Sequence, residues 1–399
     1  MRIIVIGAGV SGVLSAHALI AAGHDVEVHE KAPSLRAGGN GVMVWHNGTA
    51  ILRDLGVDTD GLGRRIDRMD VWSHDGRRLM RTDMAALARE FGSPGIGMLR
   101  GALVRRVADH LPPGTVHFGR ELVAIRQPAG GGVEVEFAGG DRVRADVLLG
   151  ADGYRSAVRD HMFGDDPPAP TGLSSWHGST SAPVDLGDDH VAPTYYGKTG
   201  LFTLHPVGGG VTHWAFEMPW RGTVHDLGRA HPDAGQPGTR LATLRSVFGG
   251  WAGPVRQVLD AIDDADIRVA PHTVHRVRPQ WGRGAVTLVG DSAHAVPARI
   301  GMGVNQALED VWVLAKALNG TGDPAELLRA YEKVRVPVTR RVRSRARMMK
   351  FVNPALLALR VTKDGLAGTS MLRASIVSSS SYLGGDRGGL APIGDSIGA

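Results

Sequence analysis

Residues 286–319 read VTLVGDSAHAVPARIGMGVNQALEDVWVLAKALN, and the order of what they contain decides the fold. Val286 to Val289 is the apolar, β-branched run of a strand buried on both faces. Gly290 permits a tight turn and sets the Asp291 carboxylate past the strand end, where it can accept hydrogen bonds from ligand hydroxyls. Gly301 and Gly303 flank Met302 and let the backbone approach a flat ligand closely. From Val304 to Leu318 apolar residues recur at helical spacing, so a helix opens there with unpaired N–H groups and a positive dipole end aimed at a site.

The N-terminus carries a second such device. Ile3 to Ile6 is a buried strand, Gly7-Ala8-Gly9-Val10-Ser11-Gly12 follows, and residues 13–22 form a small-residue helix ending at Gly23. His24 to His29 makes another strand, closed by Glu30. Gly7 turns the chain, Gly9 admits a pyrophosphate to the helix start, and Gly12 packs helix on sheet. Glu30 is placed for both hydroxyls of an adenosine ribose, and its charge would repel a 2′-phosphate, which argues against NADP at this site. Strand, helix and acid together predict an adenine dinucleotide. A third element, VRADVLLGADGYRSAVR at 143–159, runs as a strand into Ala151-Asp152-Gly153 and enters a helix through Ser156. Upstream, Glu121 to Arg126 and Val133 to Phe137 read as strands joined by the turn Pro128 to Gly132. The glycines at 92–97, 208–210 and 384–389 lack strand and helix context and read as turns or tail.

Composition adds bounds. The 399 residues, 43% of them hydrophobic, suffice for two or three domains. No apolar run reaches the roughly 18 residues of a membrane span, and the chain opens directly into a strand, so a cytoplasmic location without stable membrane insertion is expected. The absence of cysteine excludes disulfides, thiolate nucleophiles and thiolate metal sites, and no metal site is expected. Net charge is only +5. The stretch from Lys333 to Lys350 is basic without an acid; it reads as the solvated face of a packed helix, and no nucleic-acid partner is expected.

In this order, GxGxxG with Glu30, then A-D-G-x-R-S, then G-D-S-A-H with P-A-R-I-G-M-G, the motifs resemble those of the class A flavoprotein monooxygenases. That family includes aromatic hydroxylases, salicylate-type hydroxylases and the tetracycline-inactivating oxygenase. The resemblance covers roughly residues 1–350 and takes in LRGALVRRVADHL, FGGWAGPVRQVLDAI at 248–262 and AYEKVRVP at 330–337. It implies an α/β fold: a Rossmann-like FAD-binding domain (residues 1–72, 94–170 and 272–323) interleaved with an antiparallel-sheet substrate domain (73–93 and 171–271), then C-terminal helices (324–374) and a flexible tail (375–399). It implies FAD contacts from Gly7, Gly9, Ser11 and Gly12 to the pyrophosphate and from Glu30 to the ribose. Lys31, Arg36, Arg100, the Val123 backbone, Asp152 and Asp291 follow along the cofactor, with Gly301, Gly303, Val304 and Asn305 at the isoalloxazine. It also implies NADH or NADPH as a transient reductant, O2 as co-substrate and a flavin C4a-hydroperoxide that hydroxylates or epoxidises an aromatic or polycyclic small molecule, in secondary metabolism or antibiotic modification, by a monomer or homodimer. Met302 departs from the family, which has an amide there. His275-Arg276-Val277-Arg278-Pro279 departs too, lacking the usual acid.

For the substrate side, residues 171–220 alternate apolar and polar between turns at 187–189, 197–200 and 207–210, which predicts an antiparallel sheet over the flavin. Trp176, Tyr195, Phe202, Trp214 and Phe216 are expected to supply flat pocket walls. Trp45 and His46 are candidates to reach the pocket. Arg299 either clamps a carboxylate or phenolate of the substrate or is a solvated or salt-bridged loop residue. No side-chain base can be named, and the histidines at 177, 205, 213, 272 and 275 read as structural, with His294 supporting its loop. Two other readings stay open: an FAD-dependent reductase or dehydrogenase of a prenyl-type or polycyclic substrate, and a flavoprotein that sequesters a ligand without turning it over. A halogenase is disfavoured, since W-x-W-x-I-P is absent.

Overall fold

The computed structural model describes residues 1–35, 40–220, 238–349 and 366–384. β1 (Arg2–Ile6), α1 (Val10–Ala21) and β2 (Asp25–Glu30) form the opening unit. β3 (Gly41–Val44) and α2 (His46–Asp54) lead to β4 (Gly63–Ile66), β5 (Arg68–Ser73), β6 (Arg78–Asp83), α3 (Met84–Phe91), β7 (Gly95–Leu99), α4 (Arg100–Ala108) and β8 (Val116–Phe118). Next come β9 (Leu122–Arg126), β10 (Val133–Phe137), β11 (Arg142–Ala145), β12 (Val147–Gly150) and α5 (Ala157–Phe163). Four long strands follow, β13 (Ala169–Thr180), β14 (Val191–Gly197), β15 (Gly200–Pro206) and β16 (Thr212–Pro219). After them lie α6 (Arg240–Phe248), α7 (Gly253–Ala261), β17 (Arg268–Val274), β18 (Val286–Leu288), the short α8 (Asp291–His294), α9 (Gly303–Leu318) and α10 (Pro324–Met349). Two further helices, Leu366–Ser378 and Ser381–Gly384, complete the described chain.

The nucleotide half is a five-stranded parallel sheet in the order β18-β12-β1-β2-β8. Its central strands β1 and β12 are apolar because they are enclosed, α1 packing against β1 and the antiparallel sheet β11-β10-β9 joining the same core through Val133, Val135 and Phe137. The other half is a seven-stranded sheet, β17-β13-β16-β15-β14-β5-β6, in which the pairing of β14 with β5 is parallel. A small sheet, β3-β7-β4, lies close against the large one: a Cβ built on Gly97 would lie 2.3 Å from the Pro206 carbonyl oxygen, and one built on Gly208, in the turn between β15 and β16, 3.0 Å from the Gly63 backbone.

Three expectations change. The large sheet begins at Arg68 and ends at Val274, so the substrate unit is wider than 73–93 and 171–271. Residues 84–91 leave that sheet as α3, which packs on α2, because Asp83 accepts the Ala86 N–H and starts a helix. Ser375 to Gly384, expected to belong to a mobile tail, is folded. Ile376 is fully buried, and the Glu309 carboxylate accepts the N–H groups of Ser381 and Tyr382 at 2.7 and 2.9 Å and the Ser380 hydroxyl. A sealed carboxylate demands donors, and Ser380 together with the start of the last short helix, Ser381–Gly384, provides them. The rest of that tail, like residues 350–365 of the expected C-terminal helices, falls outside the described residues. Among the described residues no helix is long and apolar enough to cross a membrane.

Candidate active site

Sheet order turns motifs that are far apart in sequence into neighbours. The strands β18, β12, β1 and β2 are adjacent and parallel, so Asp291, Asp152, Gly7 and Glu30, which follow or close those strands, line up along one edge. In open parallel sheets ligands lie along this C-terminal edge. The turns touch. A Cβ built on Gly7, whose φ is 100°, would lie 2.7 Å from the Ala151 carbonyl oxygen, and one on Gly290 would lie 2.1 Å from Ser11 Oγ. Gly12 is tighter still, with a built Cβ 1.8 Å from the Gly7 oxygen. Glu30 accepts the Ala8 and Ala32 N–H groups, each at 2.9 Å, and so fixes the loop at the start of α1.

Several features of this edge fit FAD. Gly9 is exposed, and a Cβ built there meets nothing within 4 Å, so its missing side chain serves a space the protein does not fill. No side chain caps α1 or α9, and neither has an acid in its first turn; their unpaired N–H groups suit phosphate and the electron-rich edge of a flavin. The Asp152 Oδ1 atom is buried without a partner, although Oδ2 accepts the Val158 N–H at 3.2 Å, and desolvation raises this carboxyl. Asp291 is reachable by solvent yet closely surrounded, and desolvation raises it against the opposing charges of His294 and Arg100. A group both enclosed and reachable lines a cleft. Gly303 stands beside Asp291, a Cβ built there lying 3.9 Å from its Oδ1.

The remaining expected cofactor residues differ in exposure. Lys31 and Arg100 are exposed, Val123 is 63% exposed on β9, and Val304 is half-buried in the first turn of α9. Arg36 lies outside the described residues. Asn305 is fully buried. Its Oδ1 accepts the Trp45 N–H at 2.8 Å and its amide donates to Met43 O at 2.9 Å, while the Trp45 indole donates to Gly301 O at 2.8 Å. Asn305 and Trp45 therefore clamp the Gly301–Gly303 loop to β3. His46 does not reach the site, for its ring has no exposed surface and is held by Ser93 O at 2.8 Å beside Phe91.

The five aromatic residues expected to wall the pocket face the other way. Trp176, Phe216, Phe202 and Tyr195 form one row across β13, β16, β15 and β14, and with Trp214 they pack under α6 and α7 against Leu244, Phe248, Trp251 and Val255. Helices on that side made the apolar phase of the strands a core. The phase facing the nucleotide half is polar: the row His177, Ala215, Thr203, Thr194 and the row Ser175, Glu217, Leu201, Tyr196. Its orientation is fixed by Gly41, whose N–H donates to His213 Nδ1 at 3.1 Å, and by Gly97, beside His205. Ser175, Thr194, Tyr196, Thr203, His205 and Ala215 keep solvent-reachable surface in mid-sheet, so a chamber lies over them. Burial lowers His177, His205 and His272 to about 4 each and lowers His213 well below its ordinary value, so these rings are neutral.

Arg299 is engaged by protein. Its Nε and Nη2 donate to Glu217 Oε1 at 2.7 and 2.5 Å, which fits the ion-pair alternative for this residue. Glu217 was missed in the sequence, although the polar phase His213, Ala215, Glu217 was its signal. Also missed was a buried cluster behind the site. Asp310 pairs with Arg335 at 2.7 Å and meets His294 Nε2 at 2.6 Å, and Glu309 accepts the Asn47 side-chain amide at 2.8 Å. Acids inside the apolar run ALEDVWVL were the available hint.

Comparison with known proteins agrees with this geometry. The family described as FAD binding domain matches residues 1–226 and 255–346. A 3-amino-4-hydroxybenzoate 2-monooxygenase of Streptomyces platensis is 32% identical over 361 residues, covering 87% of each chain. An FAD-dependent urate hydroxylase of Klebsiella pneumoniae is 30% identical over 344 residues, covering 84% of this chain and 86% of its own. Klebsiella pneumoniae HpxO, solved with FAD and uric acid, superposes with a TM-score of 0.79 at 27% identity over 96% of this chain and 94% of that one.

Proposed function

Since the chain belongs to the class A flavoprotein monooxygenases, with FAD as cofactor, we propose that it hydroxylates a small planar aromatic or heteroaromatic compound whose hydroxyl or ring-nitrogen groups are read by the polar sheet wall. The observation that carries this reading is the contrast between two faces of one sheet: Ser175, Thr194, Tyr196 and Thr203 are reachable over the cofactor edge, while the aromatic face is closed. A pocket lined this way rewards a ligand with a few hydrogen-bonding groups around a flat ring. The relatives named for aminohydroxybenzoate and urate hydroxylation point the same way.

The chain's own groups have definable roles. The start of α1 with Gly9 would hold the pyrophosphate, Glu30 the adenosine ribose, and Asp291 the ribityl hydroxyls. When bound, FAD supplies electron transfer from NADH or NADPH and the activation of O2. The first N–H groups of α9, held in place by the Asn305–Trp45 clamp, stabilise negative charge at the ring edge. Desolvation raises the Tyr196 phenol, with a smaller opposing effect from Arg299, so Tyr196 stays a hydrogen-bond donor at neutral pH. The large sheet keeps bulk water from the reacting carbon.

The experiment is anaerobic reduction of the purified holoenzyme by each nicotinamide, with and without a panel of aminophenols, hydroxybenzoates, hydroxypyridines and purines, followed by mass analysis under 18O2. One 18O atom in a product from this panel is expected. Rapid nicotinamide oxidation without oxygen incorporation would show a reductase instead, and ligand binding without nicotinamide consumption a sequestering protein.

A further inference from the structure

A serine, a histidine and a glutamate line up on the chamber side of the large sheet. Ser175 Oγ lies 2.5 Å from His272 Nε2, and His272 Nδ1 lies 3.3 Å from Glu217 Oε2. Sheet register produces this alignment, since Ser175 is directly opposite Glu217 on β16 and, on its other side, opposite Ala270 of β17, two residues before His272. Glu217 and His272 are 3% and 4% exposed, whereas Ser175 keeps reachable surface. Neither His272 Nδ1 nor Glu217 Oε2 makes a hydrogen bond among the described residues, so the two atoms face each other unpaired at 3.3 Å; with the ring hydrogen on Nδ1, Nε2 accepts from the serine hydroxyl, whose lone pairs stay free for the chamber. The line therefore has one open end and one buried end.

We infer that Ser175, His272 and Glu217 form a proton relay that takes the hydroxyl proton of a phenol-type substrate, with Ser175 the residue in contact with substrate and the other two positioned behind it. This rests on the proposed hydroxylation of a hydroxyl-bearing aromatic. The substrate O–H bond breaks as its proton passes to Ser175 Oγ, the serine proton passes to His272 Nε2, and the Nδ1 proton passes to Glu217 Oε2. The products are a phenolate, a neutral serine, a neutral imidazole and a protonated carboxyl, and nothing is oxidised or reduced. The phenolate is richer in electrons at its ortho and para carbons, where oxygen is to be inserted.

The surroundings suit that end state. The groups facing His272 are Ser175 and His177 from β13, Glu217 from β16 and Arg299 from the loop before α9. Burial raises the Glu217 carboxyl, against the pull of Arg299, and lowers His272 to about 4, so the buried pair favours the proton on the carboxyl and a neutral ring. Neutralising Glu217 also frees the charge of Arg299 to face the new phenolate.

The test uses the holoenzyme with phenols of graded acidity, their methyl ethers, and the variants Ser175→Ala, His272→Gln and Glu217→Gln. With the phenol that turns over best, at a pH well below its own pKa, kcat/KM is expected to fall about 10²- to 10⁴-fold in Ser175→Ala and His272→Gln. The loss is expected to vanish as pH rises through the phenol's pKa, or when a fluorinated, more acidic phenol is used. Phenol bound to the oxidised wild-type enzyme should show its phenolate absorbance at pH values where the free phenol is neutral, and Ser175→Ala should abolish it. Should Glu217→Gln fail to fold, Ser175→Ala, which removes one hydroxyl, still decides. A loss independent of pH and of phenol acidity, or no loss in Ser175→Ala, overturns the relay. Equal turnover of phenols and methyl ethers overturns it while leaving hydroxylation intact, and absence of any hydroxylated product removes the parent reading and the relay together.

Discussion

Arg335 and Asp310 are paired at 2.7 Å with both side chains sealed from solvent. The other carboxylate oxygen of Asp310 accepts the Gly290 N–H at 2.7 Å, so the turn that presents Asp291 is suspended from this ion pair. Arg335 also donates to Gln306 Oε1 at 2.9 Å and to Ser381 Oγ at 2.7 Å, which draws α9, α10 and the last short helix together.

Breaking that pair from one side leaves an uncompensated buried charge, which costs about 3–5 kcal/mol. Arg335→Met is therefore expected to lower the urea-unfolding free energy by that amount and to weaken FAD retention at the same time. Equilibrium unfolding followed by fluorescence, together with flavin release on dilution, measures both; a variant as stable as wild type would mean the ion pair is not what holds this turn.

Gly9 and Gly12 separate what the cofactor requires from what the fold requires. At Gly9 the backbone is extended, with φ −79° and ψ −172°, and a Cβ meets no protein atom within 4 Å. Gly9→Val should therefore keep the wild-type melting temperature of the apoprotein while raising the Kd for FAD at least about a hundredfold, roughly 2.7 kcal/mol. Gly12→Ala drives a methyl group against the Gly7 oxygen and should yield little soluble protein. Flavin fluorescence titration and calorimetry of the two variants distinguish these outcomes, and normal FAD affinity in Gly9→Val would remove the pyrophosphate from this turn.

The same contrast explains what could be read in the sequence. The nucleotide half was legible because its signals are local: a strand, a glycine turn and a helix within about 30 residues each carry a fixed geometry. The large sheet was legible as a sheet, because alternation reports two faces, but alternation does not say which face meets which partner. Trp176, Trp214 and Phe216 mark burial, and the elements burying them, α6 and α7, lie 20 to 80 residues away in the chain. The phase proposed to meet substrate was the quieter one, Ser175, Thr203 and Glu217, for which no periodicity rule predicts a ligand. The partners of Asp310 and Glu309 were equally hidden, since Arg335 and Ser380 reach them only through tertiary packing.

Substitutions on the two faces should therefore behave differently. Phe216→Ala empties a site with no exposed surface in the cluster under α6 and α7 and should cost about 3–5 kcal/mol of stability, with the preference among substrates unchanged. Thr203→Val, on the chamber face, should shift stability by less than about 1.5 kcal/mol, the scale of one hydrogen bond, and alter KM. Chemical denaturation and steady-state kinetics on the substrate panel check the pair. If Phe216→Ala changed substrate preference at full stability, the assignment of faces would be inverted.

The buried histidines fix how stability should respond to acid. Desolvation lowers His177, His205, His272 and His275 to about 4, against an ordinary value near 6.5. Between those limits the unfolded chain binds more protons than the folded one, so stability rises with pH across this window and is lost as pH falls from about 6.5 towards 4. Asp152 and Asp291 act in the opposite sense: with folded pKa values raised, they favour the folded state in acid and lose that contribution as pH climbs past the ordinary carboxyl range. Among the described residues eight histidines are lowered and five carboxyls, Asp152, Asp160, Glu217, Asp291 and Glu332, are raised, so the histidine trend dominates and the thermal midpoint of the apoprotein should drop steeply between pH 6.5 and 4. His205→Gln removes one ring whose Nε2 has no partner among the described residues, so its midpoint should depend less on pH than that of the wild type. An unchanged slope in that variant would show that His205 keeps its ordinary acidity in the folded protein and that the chamber wall carries positive charge below neutrality.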